Sequence, residues 1–430
     1  MRILSVIHNL ESGGTQRAAI NHTVGYARAG AESALLAFDK SGPREADLEG
    51  ATAFIQREGE PEDTALQQAA AWKPDAIHIH RTGHTNHRTA SVLRVLRDAG
   101  ARAVIETNHF ARADTSPDRL LIDAHLQLSR WCLVQWQGRN ARLSPRPIGV
   151  VVPHIIRHDR FTAITPEARA AWRAAHGIPN TAVVFGRIAR PSMAKWTPLL
   201  LNAFAEVART HPDAWLLTVG LPPQLEKARA ALPPQIRDRT TSLPVTNDDA
   251  ELARAYAAMD VLAHHAKRGE TFGMVLCEAA LCGTPAITVS QPLRDNSQVE
   301  LLAHNERGLV AGSPRAFADA MRRMADDADL RHRLMTNARD WTLEHCDIDA
   351  VTATIMNLFR VILDAEGDRD AMVRAIHEGP FISRATPADV LADLANVAGA
   401  TPRSLDRLRL ALSSSRTLTD CRQLLQKIRG

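Results

Sequence analysis

Two glutamates with seven residues between them, Glu270 and Glu278, are the residues of this chain best suited to chemistry. The sequence after Glu270 predicts a glycine turn, then a helix that carries Glu278, closed by Gly283-Thr284-Pro285. A helix N-terminus beside a glycine turn presents unpaired N–H groups and a positive dipole, which suit phosphates and sugar oxygens. A carboxylate two turns into that helix can accept hydrogen bonds from the vicinal diol of a ribose. The stretch predicts a nucleotide-sugar site, and an amphipathic helix with two solvated glutamates is the alternative.

Two cations follow another predicted strand. Arg190 and Lys195 lie on a loop that begins after Gly186-Arg187, at the carboxyl end of a strand, where α/β proteins bind ligands. Arginine as a planar fork and lysine as a point charge both suit a diphosphate. Ordinary surface charges are the alternative.

Paired glycines, Gly13 and Gly14, separate the first predicted strand from the first helix. They would let the backbone approach a ligand at the helix N-terminus. The sequence there is not GxGxxG, so a nicotinamide fingerprint is absent, and a simple tight turn is the alternative.

Histidines are dense between His78 and His87, and the HxH pair His78 and His80 would place two rings on one side of a strand. Without a cysteine or carboxylate partner we expect no metal site there. The acidic triplets at 327–329 and 368–370 fall in charge-rich helical segments and predict solvated surface. His109, on the loop after the strand near Ala103–Glu106, is a better single candidate for contact with a substrate.

Composition limits the class of protein. The chain has 430 residues, a net charge of +4 and a pI near 8.9, which predicts two or three domains and leaves the partner open. Five scattered cysteines without a CxxC pair predict neither disulfides nor a zinc site. No apolar run is long enough to span a membrane and the N-terminus reads as a strand, so we expect a cytoplasmic protein. The few aromatic residues argue against nucleic acid as a partner.

Alternating short apolar runs and helical stretches predict two parallel α/β units in tandem, with a boundary near residues 153–165. A long helical stretch over 314–363 closes the second unit, and 366–430 predicts three or four short helices. The predicted strands are Ile3–Ile7, Ser33–Phe38, Ala76–His80, Ala103–Glu106, Cys132–Val134, Gly149–Val152, Thr181–Gly186, Trp215–Val219, Val261–His264 and Ala286–Val289. From Thr401 on, seven Lys/Arg stand against two Asp, so the tail predicts either a solvated helical cap or a surface for an acidic membrane or partner.

Taken together, these features resemble the GT-B glycosyltransferases, and most closely the retaining family called GT4. The resemblance covers roughly residues 1–365, and 366–430 lie outside it. It implies an α/β fold of the GT-B type, with two Rossmann-like domains facing across a cleft and a C-terminal all-helical extension. The expected boundaries are 1–155 for the acceptor domain, 156–345 for the nucleotide-sugar donor domain, 346–365 for a helix returning to the first domain, and 366–430 for the extension.

The resemblance also implies roles for individual residues, which we give as expectations. The donor-site residues fall into catalytic and binding groups. The catalytic group is Glu270, His109, Arg190 and Lys195. The residues expected to bind the donor are Glu278 at the ribose, Gly13 and Gly14 at the phosphates, Phe272, Gly273 and Met274 through backbone N–H groups, and Val245 at the base.

Two departures from the family pattern bear on the site. The family's Pro-Asn-Gly linker reads Pro153-His154-Ile155 here, so the hinge lacks the residue that tolerates a positive φ. Trp196 replaces the glycine that usually follows the lysine, so we expect a bulky ring that narrows the site or contacts the acceptor.

The implied function is retaining transfer of a sugar from a nucleoside-diphosphate sugar, UDP-linked by expectation, to a glycan, lipid-linked or protein acceptor. No metal or other cofactor is expected, and a peripheral contact with the inner face of a membrane is left open. The alternatives are a GT-B-fold sugar-nucleotide epimerase and a non-catalytic protein that binds sugar nucleotides or nucleic acid.

Overall fold

The computed structural model describes residues 1–84, 86–399 and 402–418, without the side chain of Arg403. These residues fall into two compact units. The first contains 1–155, 345–386 and the described residues from 411 on, and the second contains 156–344 and 387–410.

Thirteen strands and seventeen α-helices make up the described part of the chain. The strands are β1 (Arg2–Asn9), β2 (Glu32–Lys40), β3 (Thr52–Ile55), β4 (Ala76–Arg81), β5 (Ala103–Asn108), β6 (Ala124–Gln127), β7 (Gly149–Val151), β8 (Val183–Ile188), β9 (Ala214–Val219), β10 (Thr240–Leu243), β11 (Val261–Ala263), β12 (Ala286–Val289) and β13 (Gly308–Ala311). The helices are α1 (Gly14–Arg28), α2 (Thr64–Ala71), α3 (His87–Asp98), α4 (Arg130–Asn140), α5 (Pro166–Ala175), α6 (Leu199–Val207), α7 (Pro223–Ala230), α8 (Pro234–Arg237), α9 (Asp249–Ala257), α10 (Met274–Leu281), α11 (Ser297–Leu302), α12 (Pro314–Asp326), α13 (Ala328–Cys346), α14 (Ile348–Asp364), α15 (Arg369–Glu378), α16 (Pro387–Ala395) and α17 (Arg403–Ser414).

The first unit is built on a parallel sheet of seven strands in the order β3-β2-β1-β4-β5-β6-β7. The inner strands β1, β4, β5 and β6 are largely buried, as expected where helices cover both faces of a parallel sheet. Helix α14 belongs to this unit although it comes late in the chain. Its apolar residues recur every three or four positions and are buried in the same core as α1 and the sheet.

The second unit has a parallel sheet of six strands in the order β10-β9-β8-β11-β12-β13. Beyond β13, Ala398 forms an isolated parallel bridge with Ala311, so the segment after α16 extends the sheet edge. The predicted fold class, two Rossmann-like α/β sheets followed by a helical C-terminal region, is confirmed.

Three details of the sequence prediction are wrong. Cys132–Val134 lies inside α4, where Ser129 caps the helix by accepting a hydrogen bond from the Cys132 N–H at 3.0 Å. A helix buried on nearly every side has the same apolar run as a short strand. The stretch predicted over 314–363 is helical but does not close the second unit as expected, because its last helix, α14, belongs to the first unit. It divides into three helices, since Asp327 and Asp347 cap the starts of α13 and α14 by accepting from the backbone.

The third wrong detail concerns the residues after 365, which do not form a unit of their own. Residues 366–386 belong to the first unit and 387–410 to the second, where α16 packs against α11. The predicted helix start at Thr401 lies outside the described residues, and the helix that follows Pro402 begins at Arg403. No described helix combines the length and the apolar character needed to cross a membrane.

Candidate functional site

An ion pair between Lys195 and Glu270 lies at the carboxyl ends of two neighbouring strands of the second unit. Lys195 is on the loop after β8, and Glu270 is on the loop after β11. The Lys195 Nζ atom is 3.1 Å from Glu270 Oε1 and 3.2 Å from Oε2. The sequence predicted both residues in one site, and in this unit they do come together.

Backbone contacts fix the position of Glu270. Its N–H donates to Gln298 Oε1 at 3.2 Å, and its carbonyl accepts from the Ser297 N–H at 3.0 Å, both at the start of α11. The Glu270 side chain is 13 % exposed, so the alternative of a solvated glutamate is wrong. Burial alone would raise the pKa of this carboxyl, but the ammonium of Lys195 and the hydrogen bond from His264 hold the pKa at about 2.

Arg187 and His264 complete the cluster, and the sequence analysis assigned neither of them a role. His264 Nε2 is 3.1 Å from Glu270 Oε1, and the Arg187 guanidinium is 3.3 Å from His264 Nδ1. Burial lowers the pKa of His264 to about 4, so the ring is neutral near pH 7. The available signals were that Arg187 lies near the end of β8, and that His264 directly follows β11, six residues before Glu270.

Trp196 does not line the site, contrary to the prediction. Its side chain is 1 % exposed and belongs to the core of the second unit. The ring lies 4.7 Å from the Arg187 guanidinium carbon, and the indole N–H donates to the Arg190 carbonyl at 3.0 Å. Trp196 therefore supports the loop of Arg190 and Lys195 from behind.

Glu278 lies on α10 and is 5 % exposed, so the alternative of a solvated glutamate is wrong here too. The Tyr256 hydroxyl donates to Glu278 Oε2 at 2.9 Å. Gly273 is the N-cap of α10 with φ of 105°, a conformation that glycine adopts without strain, and Met274 begins the helix. Phe272 is buried beside them, at 3 % exposure.

The remaining candidates in this unit are exposed. Arg190 is exposed on the loop after β8, and its carbonyl accepts from the Trp196 indole N–H at 3.0 Å and from the Ser192 N–H at 2.8 Å. Val245 is 45 % exposed on the segment that follows β10, beside Gly220. Arg190 and Lys195, whose side chain is 39 % exposed, thus give two solvent-facing cations after β8, and Val245 gives an exposed apolar side chain after β10.

The first unit holds Gly13, Gly14 and His109. Gly13 is the N-cap of α1 with extended backbone, and Gly14 is its first residue. His109 follows β5, is 4 % exposed, and its ring centroid is 5.7 Å from that of His80 and 5.1 Å from that of His154.

His109 is part of a buried histidine cluster, which we define as His22, His78, His80, His109 and His154. Neighbouring rings in the cluster have centroids 4.1–5.7 Å apart. Burial lowers the pKa of every member, and mutual repulsion lowers it further in four of them. Among the described residues no group of histidine, cysteine or carboxylate side chains is arranged to hold a metal ion.

The segment Pro153-His154-Ile155 does not need the glycine that the family pattern has there. None of the residues 153–161, all of them described, has a positive φ. Ile155 is fully buried, and its carbonyl accepts from the Asn21 side chain at 3.1 Å. The backbone conformation of this segment therefore requires no glycine.

Comparison with known proteins finds a family match within the second unit. Residues 168–341 match the family described as Glycosyl transferases group 1. The D-inositol 3-phosphate glycosyltransferase of Segniliparus rotundus is 29 % identical over 250 residues, which are 50 % of this chain and 51 % of that protein. The enzyme of the same name from Mycolicibacterium gilvum is 26 % identical over 318 residues, covering 69 % of this chain and 64 % of that protein. The chain thus spans about half the length of the first of these curated relatives.

Solved structures agree with the fold. HepE of Anabaena, solved with UDP-glucose, superposes with a TM-score of 0.66 at 17 % identity and covers 83 % of this chain and 98 % of its own. Sucrose-phosphate synthase of Thermosynechococcus elongatus superposes with a TM-score of 0.62 at 19 % identity, covering 85 % and 99 %. Residues 168–341, which contain the cluster around Glu270, therefore match the glycosyl transferases group 1 family, within a chain of GT-B fold.

Proposed function

We propose that this chain is a retaining glycosyltransferase of the GT4 type that moves a sugar from a nucleoside-diphosphate sugar to a glycan, lipid-linked or protein acceptor. The observation that carries the proposal is the Lys195–Glu270 pair at the ends of β8 and β11, inside the residues that match the family. A UDP-linked donor is favoured because HepE, a structural neighbour, was solved with UDP-glucose.

Each donor group has a proposed partner in the second unit. Glu278 holds the ribose hydroxyls, and the segment at Val245 contacts the base. Lys195 and Arg190 bind the diphosphate, and Glu270 holds the donor sugar together with backbone N–H groups of 272–274. In the first unit, Gly13 and Gly14 are proposed to approach the phosphates and His109 the transferring sugar.

The proposed reaction breaks the bond between the anomeric carbon and the phosphate oxygen and forms a bond from that carbon to the acceptor oxygen on the same face. The acceptor proton passes to the departing phosphate. Preorganised cations stabilise the charge that develops on the diphosphate, and such electrostatic stabilisation is often the largest contribution to catalysis. Lys195 and Arg190 supply this positive charge without a divalent cation.

Thermal unfolding in a panel of nucleotides tests the donor site. UDP, GDP, ADP and dTDP and their glucose conjugates are added to the full chain, with Mg²⁺ and with EDTA. A ligand at about 100 times its Kd adds about 2.7 kcal/mol to the free energy of unfolding. We expect selective stabilisation by UDP and UDP-glucose that does not depend on the metal.

The variant Glu278→Ala should lose this stabilisation. Glu206→Ala is the matched control, because Glu206 is exposed and its only described partner is the surface residue Arg322. Stabilisation by a different base would change the proposed nucleotide, and no stabilisation by any of them would contradict the donor site.

Product analysis separates this proposal from the two alternatives. With UDP-glucose and water as the acceptor, a retaining transferase releases α-glucose first, as seen by NMR. An epimerase would instead give an isomeric sugar nucleotide, and a binding protein would give no turnover. A peripheral membrane contact of the basic C-terminal residues is a separate proposal, tested by sedimentation with anionic vesicles at low and high salt.

A further inference from the structure

His264 lies between a buried cation and the carboxylate of the proposed donor site. Its Nδ1 atom is 3.3 Å from the Arg187 guanidinium, and its Nε2 atom is 3.1 Å from Glu270 Oε1. The His264 side chain is 3 % exposed, so water does not compete for these contacts.

The contact with Arg187 determines which nitrogen of His264 carries the proton. A guanidinium has only donors, so Nδ1 must accept from it with its lone pair. The neutral ring therefore carries its proton on Nε2, which donates to Glu270. Arg187 is itself held by the stacked Trp196 ring and by donation to the Lys195 carbonyl at 2.7 Å, so the tautomer is imposed by the core.

The two oxygens of Glu270 are then unequally occupied. Oε1 accepts from both His264 Nε2 and Lys195 Nζ at 3.1 Å. Among the described residues, Lys195 Nζ is the one donor to Oε2, at 3.2 Å. Since each carboxylate oxygen has about two lone-pair sites, Oε2 keeps capacity for one further donor while Oε1 is filled.

We infer that His264 is a positioning residue that orients Glu270 so that its Oε2 atom can accept a hydrogen bond from a hydroxyl of the donor sugar. Without the His264 hydrogen bond, the Lys195 ammonium is the one described donor left to the carboxylate, which is then free to rotate and turn Oε2 away from the sugar. The inference rests on the proposed function, because it assumes that Glu270 contacts the sugar. It predicts that His264 affects recognition of the sugar and leaves recognition of the nucleotide unchanged.

Two substitutions separate this role from simple support of Arg187. In His264→Gln the side-chain amide nitrogen reaches the position of Nε2 and can donate to Glu270. In His264→Asn the shorter side chain reaches only the position of Nδ1, where its oxygen can accept from Arg187. No atom of the asparagine side chain then donates to Glu270, which keeps only its contacts with Lys195. If His264 only supports Arg187, the asparagine variant should keep the affinity for UDP-glucose. If His264 positions Glu270, the glutamine variant should keep it and the asparagine variant should lose it.

The experiment measures the Kd values of UDP and of UDP-glucose by isothermal titration calorimetry for the full chain and both variants, with melting temperatures as the check on folding. We expect wild type to bind UDP-glucose more tightly than UDP. In His264→Asn the affinity for UDP-glucose should fall about tenfold, as for one lost hydrogen bond to a charged group, with UDP unchanged. In His264→Gln both affinities should stay within about twofold of wild type.

Other results overturn the inference. It is wrong if folded His264→Gln loses the preference for UDP-glucose while His264→Asn keeps it, or if both variants lose UDP and UDP-glucose equally. If His264→Asn does not fold, the glutamine variant alone decides, since its loss of the sugar preference contradicts the role. A wild type that binds neither nucleotide contradicts the proposed donor site first, whereas one that binds UDP and UDP-glucose equally contradicts only the sugar contact of Glu270.

Discussion

The Trp196 ring is packed against the Arg187 guanidinium, with 4.7 Å from the guanidinium carbon to the ring centroid, and both side chains are buried. Arg187 in turn donates to the Lys195 carbonyl, and the Trp196 indole donates to the Arg190 carbonyl. The stacked pair thus holds the backbone at both cations of the proposed diphosphate site. Burial lowers the pKa of Arg187 to about 10, although Glu270 opposes this shift, and the group remains charged at pH 7.

Replacing Trp196 by phenylalanine should lower the affinity for UDP, in addition to a loss in the free energy of unfolding that a control substitution shares. The variant keeps a ring in the core but loses the hydrogen bond to the Arg190 carbonyl, worth about 1 kcal/mol. Trp215→Phe is the matched control, because its indole also makes one hydrogen bond in the same unit, to Thr241 on β10. We expect similar losses in urea unfolding for both variants and weaker UDP binding only for Trp196→Phe. Equal UDP affinities in the two variants would show that Trp196 serves the core alone.

Glu106 forms a buried ion pair with Arg81 in the first unit. It is fully buried and accepts from Arg81 Nε at 2.9 Å and from His125 Nδ1. Arg81 also contacts Asp114 at 3.0 Å. Burial would raise the pKa of Glu106, but Arg81 and His125 hold the pKa at about 2.

Glu106→Gln should therefore lower the free energy of unfolding by about 3–5 kcal/mol, because it leaves the Arg81 charge buried with an incomplete partner. Glu32→Gln is the control, since the Arg2–Glu32 pair is largely exposed and such pairs contribute at most about 1 kcal/mol. Urea unfolding at pH 7 measures both. A loss of less than about 1 kcal/mol for Glu106→Gln would mean that water reaches Arg81 in the variant.

The sequence predicted the fold better than the site. Strands such as Ala286–Val289 were predicted at their observed bounds because they are short apolar runs between turn signals. Strand β10 (Thr240–Leu243) was missed because three of its four residues are Thr or Ser, and no side chain in it is fully buried. In the site, Glu270 and Lys195 were found because ligand-binding loops follow strands. Trp196 was misplaced and His264 overlooked because whether a side chain turns into the core depends on packing that spacing does not encode.

Acid should destabilise the first unit through its buried histidines. Burial lowers the pKa of His22 to about 3 and of His154 to about 4, from an ordinary value of 6.5. Above pH 6.5 both states are neutral at these rings and the stability is unaffected. As the pH falls below 6.5, these histidines bind protons in the unfolded chain but stay neutral in the folded chain. The free energy of unfolding therefore decreases until the pH reaches the pKa of the folded state.

Between pH 6 and 4.5 each such histidine should contribute a slope of about 1.4 kcal/mol per pH unit. Urea unfolding at several pH values measures the total slope of the free energy of unfolding against pH. His22→Phe should remove the contribution of one histidine, about 1.4 kcal/mol per pH unit, and it keeps an aromatic ring at the position. Phenylalanine suits the position because His22 is 1 % exposed and its Nδ1 atom has no hydrogen-bond partner among the described residues. An unchanged slope in His22→Phe would show that this ring takes up its proton in the folded state.

Gly269, directly before Glu270, should tolerate no side chain. It has φ of 71°, and a Cβ atom there would lie 1.6 Å from the Asp295 carbonyl oxygen, so the loop that presents Glu270 would have to move. Gly177 is the matched control in the same unit, because it has φ of 69° and open space around the position of a Cβ. Each alanine substitution costs about 1–2 kcal/mol for the left-handed backbone, and Gly269→Ala adds the clash. We therefore expect both variants to lower the melting temperature, and only Gly269→Ala to lose the stabilisation by UDP-glucose. Retained binding in Gly269→Ala would mean that the loop can shift without moving the Glu270 carboxylate, and that the contacts from His264 and Lys195 outweigh the backbone in placing it.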